Sequence, residues 1–320
     1  MRVVAVFGGG GAKSLACAGA WKALVEGGLT PVHLVGTSMG AVIGAAFASG
    51  ATYDEVVIAA RSLSRRDVAP VDPLALVKGA FASHLFKPQG LRRAIERLVP
   101  ATEFDQLKIP LTITATDLDS GELVLVGAPV GAGMAGLSAG AQHATPLHRT
   151  NPPSDGGQPA VYLGDAVPLR DAVYASCALP LYFPPAAIDG RRLADGGLRA
   201  VLGLEPASRL PADLVVAVHV GPGFDEPPLP PPTAPSRLLP PPLIRAHGEA
   251  IRVMMAAQAD RLIRDWPPGA ARLVVVRPVA EREATFAVGE ADRYLEAGYR
   301  ATKRALGDKF ERQRGVEASR

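Results

Sequence analysis

Cysteine is scarce: Cys17 and Cys177 are the only two in 320 residues, each set among small apolar neighbours. Both read as small buried hydrophobes rather than as a disulfide or a metal-binding pair. Aromatic residues make up 5% of the chain, no Lys/Arg block is interleaved with them, and the net charge is only +3. Nucleic acid is therefore not expected as a partner. Long uninterrupted apolar runs are missing as well. Met1 to Phe7 passes straight into Gly8-Gly9-Gly10-Gly11, before a signal-peptide core and cleavage site have formed. Leu34 to Ala48 is broken by Gly, Thr and Ser and is too short to span a bilayer. The expectation is a soluble, cytoplasmic protein.

What is present suffices for a large core. With 48% hydrophobic residues, the chain has no need of staples. Val3–Phe7 reads as a buried strand, the four glycines as a loop, and Ser14–Glu26 as a helix stopped by Gly27-Gly28. A second strand and helix follow within the first fifty residues. That alternation predicts an α/β fold with a mainly parallel sheet and right-handed crossovers. Helices are expected over Tyr53–Ser64, Pro88–Leu98, Leu169–Ala178, Leu243–Trp266 and Gly289 to about Leu306. Leu111–Thr116 and Glu122–Val126, joined through Asp119-Ser120-Gly121, read as an antiparallel hairpin, and Leu214–Val220 and Leu273–Val276 as further buried strands.

The expected organisation is a main α/β unit over 1–210 with its continuation over 211–307. Within it, 127–165 has no periodicity and reads as an irregular loop or lid. Residues 221–242 form a Pro-rich loop. Residues 308–320 read as a frayed tail.

The chemistry begins at Val32-His33-Leu34-Val35-Gly36-Thr37-Ser38-Met39-Gly40. An apolar run ends in Gly-x-Ser-x-Gly and an Ala-rich helical pattern starts, the order of a nucleophile elbow, which presents one serine above a sheet. Ser38 is the candidate nucleophile, with Gly36 and Gly40 as the elbow glycines. The bland alternative is that Gly36, Gly40 and Gly44 merely give the small-xxx-small spacing of tightly packed helices.

Acyl chemistry on a serine also needs a base and an anion-stabilising pocket. Gly8, Gly9, Gly10 and Gly11, followed by Ala12-Lys13-Ser14, are the candidate pocket, because bare amides at a helix start favour negative charge. The loop does not fit a phosphate-cradling motif, since Phe7 and Ala12 fill its glycine positions. Nor does it fit Gly-x-Gly-x-x-Gly, whose third glycine is Ser14 or Lys13. Asp195, in Asp195-Gly196-Gly197, is the candidate base. Alone that tripeptide reads as a turn, as does Asp155-Gly156-Gly157.

Taken in order, the glycine loop with Lys13, the elbow at Gly36 to Gly40, Ala175-Ser176-Cys177-Ala178-Leu179-Pro180 followed by Phe183-Pro184-Pro185, and Asp195-Gly196-Gly197 resemble the patatin-like phospholipases. The resemblance covers roughly Val3 to Ala207. It implies a three-layer α/β/α sandwich, a Ser38–Asp195 catalytic dyad, an oxyanion hole around the glycine loop, and Lys13 where the family carries Arg or Lys. The implied activity is hydrolysis of carboxylic esters of lipids, with a lipid or small ester as partner and no metal or other cofactor. Two departures stand out. Ser14 occupies the place of the loop's last glycine, and no Asn follows Asp-Gly-Gly within Leu198 to Leu202.

Two rivals remain at this level. One is a Ser-His-Asp esterase using His219, at the end of a buried strand, or His247 on the following helix. The other is a catalytically weak binding or regulatory protein built on the same scaffold. His143 and His148 do not have the spacing of a zinc helix. The helix from Leu243, with Arg245, Arg252, Arg261 and Arg264, reads first as a helix packed on the sheet, and second as one suited to transient contact with a membrane surface. Oligomeric state is not legible.

Overall fold

A computed structural model describes residues 1–128, 148–149, 160–224, 242–279 and 288–317. In chain order it forms β1 (Val3–Phe7), α1 (Leu15–Glu26), β2 (Pro31–Thr37), α2 (Met39–Ala48), α3 (Tyr53–Arg61), α4 (Arg65–Val68), α5 (Pro73–Lys78) and α6 (Pro88–Leu98). There follow β3 (Leu111–Asp117), β4 (Leu123–Gly127), β5 (His148–Arg149), β6 (Ala160–Tyr162), α7 (Leu169–Cys177), β7 (Ala186–Ile188), β8 (Arg191–Asp195), α8 (Gly197–Ala200) and α9 (Leu204–Ser208). The last elements are β9 (Leu214–Val218), α10 (Pro242–Arg264), β10 (Arg272–Val276) and α11 (Ala291–Glu317).

One mixed sheet runs β10-β9-β1-β2-β3-β4-β6-β5, with β8 on β3 and β7 on β8. The strands from β10 to β3 are all parallel, and the antiparallel pairs gather around β3, β5 and β7. Strand alternation sorts the core into two faces. Val3, Ala5 and Phe7 join Leu34, Ile113 and residues of α1, α2, α6, α7 and α11. Val4 and Val6 join Val35, Val215, Ala217 and residues of α8, α9 and α10. Helices thus cover both sides of a central sheet, which is the three-layer α/β/α arrangement.

The mainly parallel α/β class expected from the chain is the one observed, and β9 and β10 lie in the same sheet as β1. Two expectations need correction, and a third lies mostly outside the described residues. Much of 127–165 lies outside the described residues, but Ala160–Tyr162 is a strand parallel to β4 rather than irregular chain. The Pro-rich 221–242 segment lies outside them over 225–241. The tail expected from residue 308 is helical through Glu317, because its Lys, Glu, Arg and Gln residues are good helix formers that offset Gly307 and Gly315.

α11 packs along α1 at very close range. A Cβ on Gly19 would lie 1.9 Å from Leu295 O, and one on Gly298 would lie 1.9 Å from Ala16 O. Each helix therefore presents a glycine to the other's backbone.

Candidate active site

β2 stops at Thr37, Ser38 adopts φ 53° and ψ −132°, and α2 begins at Met39. A non-glycine residue at positive φ costs of order 1–3 kcal/mol and persists only where its surroundings enforce it. Here they do. A Cβ on Gly36 would lie 2.5 Å from Ala41 Cα, and one on Gly40 would lie 2.2 Å from Phe7 O. Only glycine fits at either position, and the tight turn leaves Ser38 half-buried just past the C-terminal end of β2.

Asp195 arrives by a different route. β3 pairs with β2 through Thr37 opposite Thr114, then one step later with β8 through Asp195 opposite Ala115. Because β4 occupies the other edge of β3 over these residues, β2 and β8 approach end to end on one edge. Their tips carry Ser38 and Asp195. The Ser38 hydroxyl donates to Asp195 Oδ2 at 2.7 Å, and the Gly197 amide donates to Oδ1 at 2.7 Å. Asp195 is buried, and burial pushes its carboxyl up to about 6, against the pull of the Ser38 and Gly197 hydrogen bonds. A Cβ on Gly196 would lie 2.3 Å from Thr114 O, so the turn after the aspartate also needs glycine.

α7 supplies a residue that sequence reasoning quoted without a role. The buried Ser176 hydroxyl accepts from the Ser38 amide at 2.8 Å, and the Ser176 carbonyl accepts from the Gly196 amide at 3.3 Å. It therefore ties the elbow to the Asp-Gly-Gly turn. A single serine among Ala175, Cys177 and Ala178 is the only local signal in the sequence. Its neighbour Cys177 is also buried, and burial together with the Asp195 charge holds its thiol neutral.

The glycine loop divides its amides. Gly8 N–H donates to Val218 O at 3.1 Å and Gly9 N–H to Val201 O at 2.8 Å. No such bond engages the Gly10 and Gly11 amides among the described residues. Gly11 needs its left-handed φ of 61°, and a Cβ on Gly9 would press on Ser38 Cβ at 3.1 Å. Lys13 is buried, and the Ser14 hydroxyl donates to Gly8 O at 3.2 Å. Ser14 sits at φ −64°, so no glycine is required there. The first departure from the resemblance therefore leaves the loop unstrained.

These groups border a cavity of about 1060 Å³. Gly10, Ser38 and Asp195 are part of its lining, as are Lys13 and Arg65, and Leu63, Leu91, Tyr182, Phe183, Ile251 and Met255 are among its apolar walls. No imidazole stands between Ser38 and Asp195. His219 is buried at the end of β9 and is not part of the cavity lining, whereas His247 belongs to the wall formed by α10. His143 lies outside the described residues. Among the described residues no group of three or more His, Cys, Asp or Glu is placed to hold a metal, and no helix is long and apolar enough to cross a membrane.

A family model described as patatin-like phospholipase matches residues 5–208, from β1 through α9. The chain belongs to the patatin-like phospholipases. Its relatives include an uncharacterized NTE family protein of Mycobacterium bovis, 31% identical over 220 residues that make up 68% of this chain and 49% of that protein. The chain thus spans about half the length of that relative. Patatin-like phospholipase domain-containing protein 7 of Rattus norvegicus is 27% identical over 222 residues, 68% of this chain and 14% of the rat protein. Among solved structures, VipD from Legionella pneumophila aligns with a TM-score of 0.43 at 14% identity, covering 96% of this chain and 66% of that one. The patatin match ends before β9, α10, β10 and α11.

Proposed function

We propose that this chain hydrolyses carboxylic ester bonds of lipids, with Ser38 as nucleophile and Asp195 as its proton acceptor. The observation that carries this reading is the 2.7 Å hydrogen bond from a strained elbow serine to a buried carboxylate in the lining of a mostly apolar cavity. Ser38 Oγ attacks the ester carbonyl carbon while its proton passes to Asp195 Oδ2. The oxyanion that forms is met by the amides of Gly10 and Gly11, since those of Gly8 and Gly9 serve neighbouring carbonyls. Collapse expels the alcohol, which takes the proton from Asp195 and leaves an acyl group on Ser38. Water then attacks the acyl-enzyme, giving its proton to Asp195, and the acid leaves as Ser38 recovers its hydrogen.

The carboxyl at about 6 favours this assignment, because a base near neutrality is both ionised and able to hold a proton during the reaction. Apolar walls suit an acyl chain. The family supports lipid esters over other acyl donors.

The test uses a chromogenic carboxylic ester and a fluorophosphonate probe. Wild-type protein should turn over the ester and be labelled at Ser38. Ser38→Ala should abolish labelling and lower kcat by at least about a thousandfold. Equal rates in the two proteins would refute the reading.

A further inference from the structure

Two hydrophobic side chains stand further into solvent than any other large apolar residue described, Phe81 at 92% and Val77 at 85%, with Leu74 at 62% beside them. All three belong to one excursion between α4 and α6. Its base is closed by Asp72 N–H to Leu85 O at 2.9 Å, Lys87 N–H to Pro70 O at 2.9 Å and a bridge between Val71 and Phe86. The same base is fastened to the cavity wall. Leu85 N–H donates to Leu181 O and Phe86 N–H to Tyr182 O, both at 2.9 Å, and the Phe86 ring packs on Tyr182 and Phe183. On α10, Val253 and Met254 both line the cavity and remain 46% and 63% exposed, which marks them as rim residues.

Charge says what covers the excursion. From Arg61 to Arg97 there are eight Arg or Lys against three Asp or Glu; with Arg61 paired to Asp292 and Arg92 to Asp171, a net +3 remains in this stretch, as much as the whole chain carries. Lys78 and Lys87 are exposed, and the excursion's one carboxylate, Asp72, is held by Leu74 N–H and lies 3.7 Å from His84 Nε2. A second copy docking symmetrically would press this positive region against itself. An anionic bilayer surface accepts both the apolar tips and the flanking cations.

We infer that the segment from Asp72 to Leu85 is an interfacial anchor: Leu74, Val77 and Phe81 enter an anionic lipid surface, Lys78 sits among the headgroups, and the cavity mouth is held against its lipid source. The inference rests on the lipid-ester reading for the purpose of that docking, but not for the docking itself.

The experiment separates the two. Full-length Ser38→Ala protein, unable to degrade the membrane, is sedimented with vesicles of phosphatidylcholine alone or of phosphatidylcholine and phosphatidylglycerol in equal amounts. Parallel variants carry Leu74→Gln, Val77→Gln and Phe81→Gln together, or Lys78→Glu. Binding to the anionic vesicles should exceed binding to the neutral ones. It should fall on the order of a hundredfold in the triple variant and about tenfold in Lys78→Glu. In the Ser38-containing background these substitutions should leave soluble-ester turnover unchanged while slowing turnover on anionic vesicles, which also reports that the variants fold. Parent protein that ignores anionic vesicles, a triple variant that binds as the parent does, or a parent dimer that the triple variant dissolves would each overturn the inference. Vesicle binding as expected with no ester turnover would instead sink the hydrolase reading and leave the anchor standing.

Discussion

Replacing Asp195 by Asn should raise stability while destroying activity, and the size of both effects follows from the site. Asn matches the shape of the carboxylate, can still accept from Gly197 N–H, and can donate to Ser38 Oγ. The native carboxyl is buried and titrates near 6, about two units above an ordinary aspartate. At about 1.4 kcal/mol per unit, the folded state carries a penalty of about 3 kcal/mol whenever the group is ionised. The penalty is fully present above pH 6. Between pH 6 and 4 the folded protein binds more protons than the unfolded chain, so this contribution to stability improves as pH falls, and it is gone once both states are neutral. Urea denaturation of wild type and Asp195→Asn at pH 8 and pH 4 measures it, since other titrating groups cancel in the difference. The variant should be more stable by about 3 kcal/mol at pH 8, on the order of 5 °C in Tm, and nearly equal at pH 4. Its kcat should drop by at least about a thousandfold, and wild-type kcat/KM should fall about tenfold per pH unit below pH 6. A variant no more stable than wild type at pH 8, or a difference that does not shrink with acid, would refute the argument that burial sets the base.

Ser176→Ala leaves the Ser38 amide without its acceptor in a buried setting, and steady-state kinetics should show kcat reduced roughly tenfold with KM little changed. Gly19→Ala places a methyl 1.9 Å from Leu295 O and should cost about 3 kcal/mol or more as α11 is pushed off α1, read as a fall in Tm. His219→Ala and His247→Ala should each keep ester hydrolysis within a few-fold of wild type, and a hundredfold loss in either would reinstate an imidazole base.

Much of the fold was legible because its signals are local. Runs such as Val3–Phe7 and Leu214–Val218 are apolar on both faces, as strands buried between two helical layers must be. Pro88–Leu98 carries its own start signal and a strong apolar stripe, and its bounds follow. The elbow was readable for a similar reason, since the tight contacts at Gly36 and Gly40 exclude any side chain. Less local features were not readable. β6 is three residues long and exists through its pairing with β4. In sequence, Leu74, Val77 and Phe81 resemble core residues, and nothing local distinguishes an apolar side chain that finds a partner from one that does not.

By itself the sequence determined the strand-helix alternation behind the first parallel crossovers, the turn that exposes Ser38, and the need for glycine at Gly36 and Gly40. These depend on torsion angles and short-range sterics, which neighbouring residues set. Tertiary structure alone decided that Asp195, 157 residues away, meets Ser38, because that meeting depends on β3 changing partner from β2 to β8 between Thr114 and Ala115. It also decided which glycine amides are spent on Val218 and Val201, gave Ser176 its place beneath the elbow, and left Phe81 outside. Register and burial are properties of the assembled sheet, and no window of residues contains them.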